Sequence, residues 1–210
     1  GEAVLAKVTT NTNEFLRVCP TQNVIAVTGT KGKGTTSTLI TRILEAAGKR
    51  VHLGGNIGVA PLAMLKQSIR SDDFVVLELS NFQLIDLKYS PHIAVCLLVV
   101  PEHLDWHEDV EEYIAAKQQL FIHQNEDDIA IYNANNENSE SIADASVGTQ
   151  IPYMHTPGAL VDNSEVKIGD TVICRIDELK LLGAHNWQNV CAAVTAVWQI
   201  TQDVDAIRSV

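Results

Sequence analysis

The stretch Val24-Ile25-Ala26-Val27-Thr28-Gly29-Thr30-Lys31-Gly32-Lys33-Gly34-Thr35-Thr36 decides how the rest of the chain is read. A short β-branched run enters a glycine-rich turn, and Leu39, Ile40, Ile43, Leu44 and Ala47 then recur at the spacing of one helical face. The order is strand, loop, helix. Glycines and small hydroxyl residues let successive backbone N–H groups converge on an anion, and the helix N-terminus adds partial positive charge. Residues 29–36 therefore form a candidate phosphate cradle, with Lys33 as the point charge on the terminal phosphates. The full Walker pattern needs a glycine where Val27 stands, so what remains is a shortened Gly-x-x-Gly-Lys loop. At this level an ordinary glycine-rich strand-to-helix turn reads the same.

Working outward, 210 residues suffice to bury a sizeable core in one large α/β domain. Fifteen basic against 26 acidic side chains give a formal charge of −11, a field that repels nucleic acid and anionic membrane surfaces. An anionic ligand then depends on a local cradle such as loop 29–36. Cys19, Cys96, Cys174 and Cys191 lie far apart with no Cys-x-x-Cys pair, which reads as reduced thiols rather than a metal cluster. No apolar stretch approaches the length of a membrane span, and the first twenty residues lack the basic start and apolar core of a signal peptide. A cytoplasmic protein is expected.

Residues 1–23 read as a linker with a short amphipathic helix around Glu14 to Val18, and residues 24–210 as one domain. After the loop helix, residues 50–53 predict a second strand, and Gly54-Gly55-Asn56-Ile57-Gly58 makes either a tight turn or a close backbone approach to a ligand. A helix over about 61–69 follows. Phe74-Val75-Val76-Leu77 has the continuous apolar character of a central parallel strand and ends on Glu78. A carboxylate there is either a magnesium ligand beside the phosphate loop or a solvated acid. Residues 93–100 repeat the design and run into Pro101-Glu102-His103-Leu104-Asp105-Trp106-His107, which brings Glu102 and His103 to the same sheet edge.

The helix predicted over 109–123 carries Val110, Tyr113, Ile114, Leu120 and Phe121 on one face, and the residue that completes the series is Lys117. Such a lysine either snorkels to water or is desolvated, and a neutral amine can act as a nucleophile or capture carbon dioxide as a carbamate. A further strand is predicted over 129–132, then a solvated loop and short helix over 133–144. The short β-type runs 151–154, 159–161, 166–168 and 171–176 alternate with turn signals and predict an antiparallel appendage. Gly183-Ala184-His185-Asn186 precedes a last long helix. Asn186 fits its N-cap; Asn189, one turn in, does not. The fold class is α/β: a P-loop-type, mostly parallel sheet flanked by helices, with a small antiparallel β extension.

Five ordered blocks, Thr28 to Thr36, Gly54 to Gly58, Leu77 to Leu84, His103 to Asp105 with Ala115-Ala116-Lys117, and Gly183 to Asn189, resemble the central, ATP-binding domain of the Mur ligases. Leu77-Glu78-Leu79-Ser80-Asn81-Phe82-Gln83-Leu84 is similar to the D-glutamate-adding branch. The resemblance implies ATP and two magnesium ions as cofactors, with Gly29, Thr30, Lys31, Gly32, Lys33, Gly34, Thr35 and Thr36 at the phosphates and Asn186 and Asn189 at the adenine. It implies Glu78, His103, a carbamylated Lys117 and Thr35 at the metals, Lys33, His103 and Lys117 as the catalytic set, and Asn56, Ser80 and Gln83 toward the substrate. The implied substrates are UDP-N-acetylmuramoyl-L-alanine and D-glutamate, joined through an acyl phosphate in peptidoglycan precursor synthesis. The family's uridine-nucleotide and carboxyl-terminal domains are partners outside these residues, so the domain alone is expected to be inactive. Gly34 departs from the Ser or Thr usual after the loop lysine and matches the related folylpolyglutamate synthetases, which keeps a folate ligase as an alternative. A nucleotide-binding module without chemistry is another.

Overall fold

The computed structural model describes residues 9–100, 109–181 and 183–210. Its centre is a six-stranded parallel sheet of β1 (Val24–Thr28), β2 (Val51–Gly55), β3 (Phe74–Glu78), β4 (Ile93–Cys96), β5 (Ile129–Asn133) and β6 (Thr149–Tyr153) in the order β2-β3-β1-β4-β5-β6. Parallel neighbours need crossovers. These are α2 (Lys33–Ala46), a 3-10 helix (Pro61–Gln67), the short α3 (Asn81–Leu84), α4 (Val110–Gln118) and α5 (Glu137–Ala143). Helix α1 (Asn11–Val18) precedes β1, and α6 (Ala184–Trp198) and α7 (Val204–Arg208) close the chain. No helix among the described residues is long and apolar enough to cross a membrane.

Alternation along β1 fills both faces of the sheet. Ile25 and Val27 join Val76, Val95 and Ile131 under α2 and α6, while Val24 and Ala26 join Val75, Leu77 and Ala94 on the side of Phe15 and Tyr113. Because both faces are covered at the centre of the sheet, β1, β3 and β4 read as nearly unbroken apolar runs. The core of α6 is apolar from Val190 to Val197 apart from Thr195, whose hydroxyl bonds Ala159 N and Cys191 O.

Several expectations shift. Residues 151–154, expected in the antiparallel appendage, lie in β6, which pairs parallel with β5 in the register Ile131↔Ile151. Helix α5 supplies the crossover, and Pro152 is tolerated because β6 is an edge strand. The appendage is therefore three strands, β7 (Leu160–Asp162), β8 (Glu165–Ile168) and β9 (Thr171–Arg175), antiparallel in that order. Asn163 and Ser164 take φ of 49° and 63°, the left-handed pair that a two-residue hairpin turn requires. Strand β4 ends at Cys96 rather than near Val100, and the 61–69 segment is 3-10 in character. Gly54 and Gly55 belong to β2 instead of to a turn.

Candidate functional site

Strand order reverses at β1, with β3 on one side and β4 on the other, and open parallel sheets bind ligands at the carboxyl ends of strands at such a point. Register brings Val27, Glu78 and Gly55 level across β1, β3 and β2. Pairing continues past the strand ends: Leu79 N donates to Val27 O and Thr30 N to Leu98 O, both at 2.9 Å. The loop thus leaves β1 already held against its neighbours.

Helix α2 begins at Lys33 with Gly32 as N-cap and no side-chain cap, so its first amides are left for another acceptor. Gly32 has φ 90°, and a Cβ there would run into the Asn189 amide of α6. Lys33 Nζ donates to the carbonyls of Gly29 and Thr30 at 3.0 Å each, so the lysine is folded over its own loop. Lys31 is exposed, and Gly34 and Thr35 are half-buried in the first turn. The hydroxyls of Thr28, Thr36 and Ser37 are buried without a hydrogen-bond partner, polar atoms unused by the fold around the loop.

Glu78 is only 4% exposed, so it is not a solvated acid. Its Oε1 accepts from Asn56 Nδ2 at 3.2 Å, its carbonyl accepts from Asn56 N at 2.7 Å, and Oε2 faces Gly34. No cationic side chain lies within ion-pair distance of it among the described residues. A buried carboxylate beside a phosphate cradle fits a hard divalent cation, which takes oxygen ligands. No group of three His, Cys, Asp or Glu side chains that could hold a metal exists among the described residues. His103 and Glu102 lie outside the described residues.

Lys117 is 1% exposed, so it does not snorkel. Its Nζ lies 4.5 Å from the centroid of the Tyr113 ring, and its charge partly offsets the burial that pushes the Cys96 thiol up to about 11. The Tyr113 hydroxyl meets Thr30 Oγ1 at 2.9 Å, which connects α4 to the loop.

Asn186 does not cap α6. The helix starts at Ala184, Gly183 is its N-cap, and Asn186 lies in the first turn with Oδ1 accepting from Asn189 Nδ2 at 3.1 Å. The expected adenine pair is therefore one bonded unit, and its Asn189 end touches the loop apex. Ser80 and Gln83 are spent partly on each other: Ser80 N and Oγ both donate to Gln83 Oε1 at 3.0 Å at the start of α3. One contributor escaped the sequence reading. Asn136 accepts from Val99 N and donates to Val99 O while capping α5 through Ser139 N, and so anchors the segment that runs into residues 101–108. An Asn just ahead of a Glu-rich helical turn was the available signal.

A cavity of about 820 Å³ lies elsewhere, between α2, α6, α7 and β9, and none of the loop residues lines it. Converging polar groups, not volume, mark the phosphate loop as the candidate site.

The family model of the Mur ligase middle domain matches residues 27–197. This chain belongs to the Mur ligase family. It is 37% identical over 209 residues to UDP-N-acetylmuramoylalanine–D-glutamate ligase of Clostridium tetani, a match covering 98% of this chain and 45% of that protein. The corresponding ligase of Clostridium kluyveri is 39% identical over 196 residues, covering 91% of this chain and 42% of its own length. The chain thus spans less than half of these relatives. Among solved structures, UDP-N-acetylmuramate:L-alanyl-gamma-D-glutamyl-meso-diaminopimelate ligase from Neisseria meningitides has the same fold, with TM-score 0.74 at 18% identity over 99% of this chain and 72% of that one. Family and fold agree with the reading from the five sequence blocks.

Proposed function

We propose that this Mur ligase middle domain is the ATP- and magnesium-binding part of a ligase that joins D-glutamate to UDP-N-acetylmuramoyl-L-alanine in the cytoplasm. In this reading residues 1–23 are an entry segment whose helix α1 packs onto the domain of residues 24–210, working with nucleotide-sugar and carboxyl-terminal domains of the same protein. The observation that carries it is the seating of the Glu78 carboxylate against Gly34, at the first turn of the phosphate-loop helix. The names of the Clostridium relatives support the choice of substrates.

Activation of a carboxylate by ATP brings anion to anion, so the site must neutralise and align both. Loop amides 29–36 hold the phosphates, and Lys33 leaves the carbonyls of Gly29 and Thr30 to meet the terminal ones. Thr35 faces the same turn, Asn186 and Asn189 border the adenine, and Asn56, Ser80 and Gln83 face the substrate. Magnesium, held as two ions by Glu78, His103, Thr35 and a carbamylated Lys117, supplies the charge neutralisation. The L-alanyl carboxylate then takes the γ-phosphoryl group with release of ADP, and the D-glutamate amine displaces phosphate to form the amide. Closure of the other domains excludes water, so this chain alone binds ATP without ligating.

The test is product formation by the full-length protein supplied with ATP and either UDP-N-acetylmuramoyl-L-alanine plus D-glutamate or a folate plus L-glutamate. Amide and ADP are expected only from the first pair and are lost in Lys33→Ala. Turnover of the folate pair moves the protein to the folate branch. Nucleotide binding without turnover of either pair leaves a binding module.

A further inference from the structure

We propose that Tyr113 is a positioning residue: one buried ring that holds Lys117 at a set distance from the phosphate loop. The inference rests on the ligase reading above, because Lys117 acts only there.

Thr30 is the fixed end. Its amide donates to Leu98 O at 2.9 Å, its carbonyl accepts from Lys33 Nζ at 3.0 Å, and its hydroxyl is placed against both Val100 O at 2.9 Å and Val100 N at 3.0 Å. A threonine hydroxyl carries one hydrogen and two acceptor positions. With that hydrogen on Val100 O and one lone pair on Val100 N, the remaining position accepts from the Tyr113 hydroxyl at 2.9 Å. In that arrangement the Tyr113 hydroxyl donates, and the 2.9 Å bond ties the two side chains whichever hydroxyl gives the hydrogen. The tyrosine is tied to a loop residue held through its amide, carbonyl and hydroxyl.

Lys117 is the placed end. It lies four residues beyond Tyr113 in α4, the spacing at which helical side chains meet, and its Nζ stands 4.5 Å from the ring centroid. Both side chains are 1% exposed. A phenol ring has only two soft torsions; with its hydroxyl pinned and its face under the side-chain nitrogen of Lys117 before carbon dioxide is captured, it acts as a strut that sets where the carbamate will form. Lys33 rests on the Thr30 carbonyl until nucleotide enters, and Lys117 is referenced to the same residue through Tyr113.

The test uses the full-length ligase with Tyr113→Phe, which keeps the ring and loses the bond to Thr30, and Tyr113→Leu, which loses both. Wild type must first form the amide; if it does not, the ligase reading fails and not the strut. Given a working wild type, Tyr113→Phe is expected to lower kcat between about 10- and 100-fold, the scale of a misplacement near 1 Å, with KM for ATP within about 3-fold. Adding Tyr113→Phe to Thr30→Val should cost nothing beyond Thr30→Val alone. In Tyr113→Leu freed of carbon dioxide, so that Lys117 carries its unmodified amine, Lys117 should react several-fold faster with an amine-selective reagent than in wild type treated the same way, read by peptide mass spectrometry without turnover. Wild-type kcat in Tyr113→Phe, additive losses in the double variant, or unchanged Lys117 labelling in Tyr113→Leu each overturns the proposal. So does a loss of activity that vanishes when expressed per folded molecule.

Discussion

The carboxylate of Glu78 crowds the space that a side chain on Gly34 would need: a Cβ on Gly34 would stand 3.2 Å from Glu78 Oε2, a few tenths of an ångström too close. The glycine that departs from the family's usual Ser or Thr is therefore matched to the acid beside it. Gly34→Ala should leave folding stability equal or higher by up to about 1 kcal/mol, the helix-propensity gain, because the far end of Glu78 can move. Magnesium-dependent binding of an ATP analogue should weaken, since the moved oxygen is the proposed metal ligand. Thermal melting and calorimetric titration of the same sample separate the two effects. Unchanged affinity would mean that Glu78 is not a ligand.

Gly32 meets a harder limit. Its φ of 90° is left-handed, and Asn189 fills the place of a Cβ. Gly32→Ala is expected to cost about 1–2 kcal/mol from the backbone alone. It should also abolish nucleotide binding by displacing either the loop apex or α6. Pairing it with Asn189→Gly removes the collision but not the backbone strain, so stability should recover only in part in a denaturant titration.

Helix α1 lies before the matched family segment yet is part of this fold. Phe15 is fully buried against the β1 and β3 face, and the Asn13 side chain bonds Asp86 O and Lys88 N at 2.7 Å each. Phe15→Ala should cost about 3–5 kcal/mol, as large-to-small changes in close-packed cores do. Urea unfolding of the chain measures it. A cost under about 1 kcal/mol would show that α1 is only loosely attached.

Asp73 gives a pH signature. Burial opposes its ionisation, but the Arg70 amide, His52 and Arg50 outweigh burial and hold the carboxyl below the ordinary 3.8. His52 Nε2 lies 2.8 Å from Oδ2. A carboxyl depressed on folding stabilises above its unfolded value, and the contribution is lost as pH falls through the folded one. Stability should therefore drop below about pH 4, and Asp73→Asn should be less stable at neutral pH with a flatter acid limb. Denaturation midpoints between pH 3 and 7 test this.

The thiols should be quiet. Burial pushes Cys96 up to about 11 and Cys191 up to about 12, and all four cysteines are free. At neutral pH a thiol reagent should label neither residue in the folded chain, and both after denaturation. Rapid native labelling of Cys96 would indicate that the sheet opens at β4.

Much of this was legible along the chain because the signals are local. Strand, glycine loop and helix are consecutive from Val24, and the period of 3.6 in α4 points Lys117 inward without reference to any other element. The central parallel strands β1, β3 and β4 announce themselves as apolar runs because both faces of the sheet are buried there. Strand pairing is not local: nothing within residues 150–154 distinguishes the sixth parallel strand from the start of a hairpin, since only α5 and the open edge of β5 decide it. Asn186 was misplaced for a related reason, a Gly183 cap being as compatible with the local pattern as an Asn cap.

By itself, then, the sequence determined the glycine loop that is the candidate phosphate cradle, the inward lysine, the terminal acid of β3 and the family, each written in neighbouring residues of fixed spacing. Only the tertiary structure decided that Glu78 lies in the space beside Gly34, that Asn189 lies on Gly32, and that Thr30 meets Tyr113 across 83 positions of chain. Such contacts depend on strand order and register, and these are chosen by the burial of the whole core rather than by any one segment.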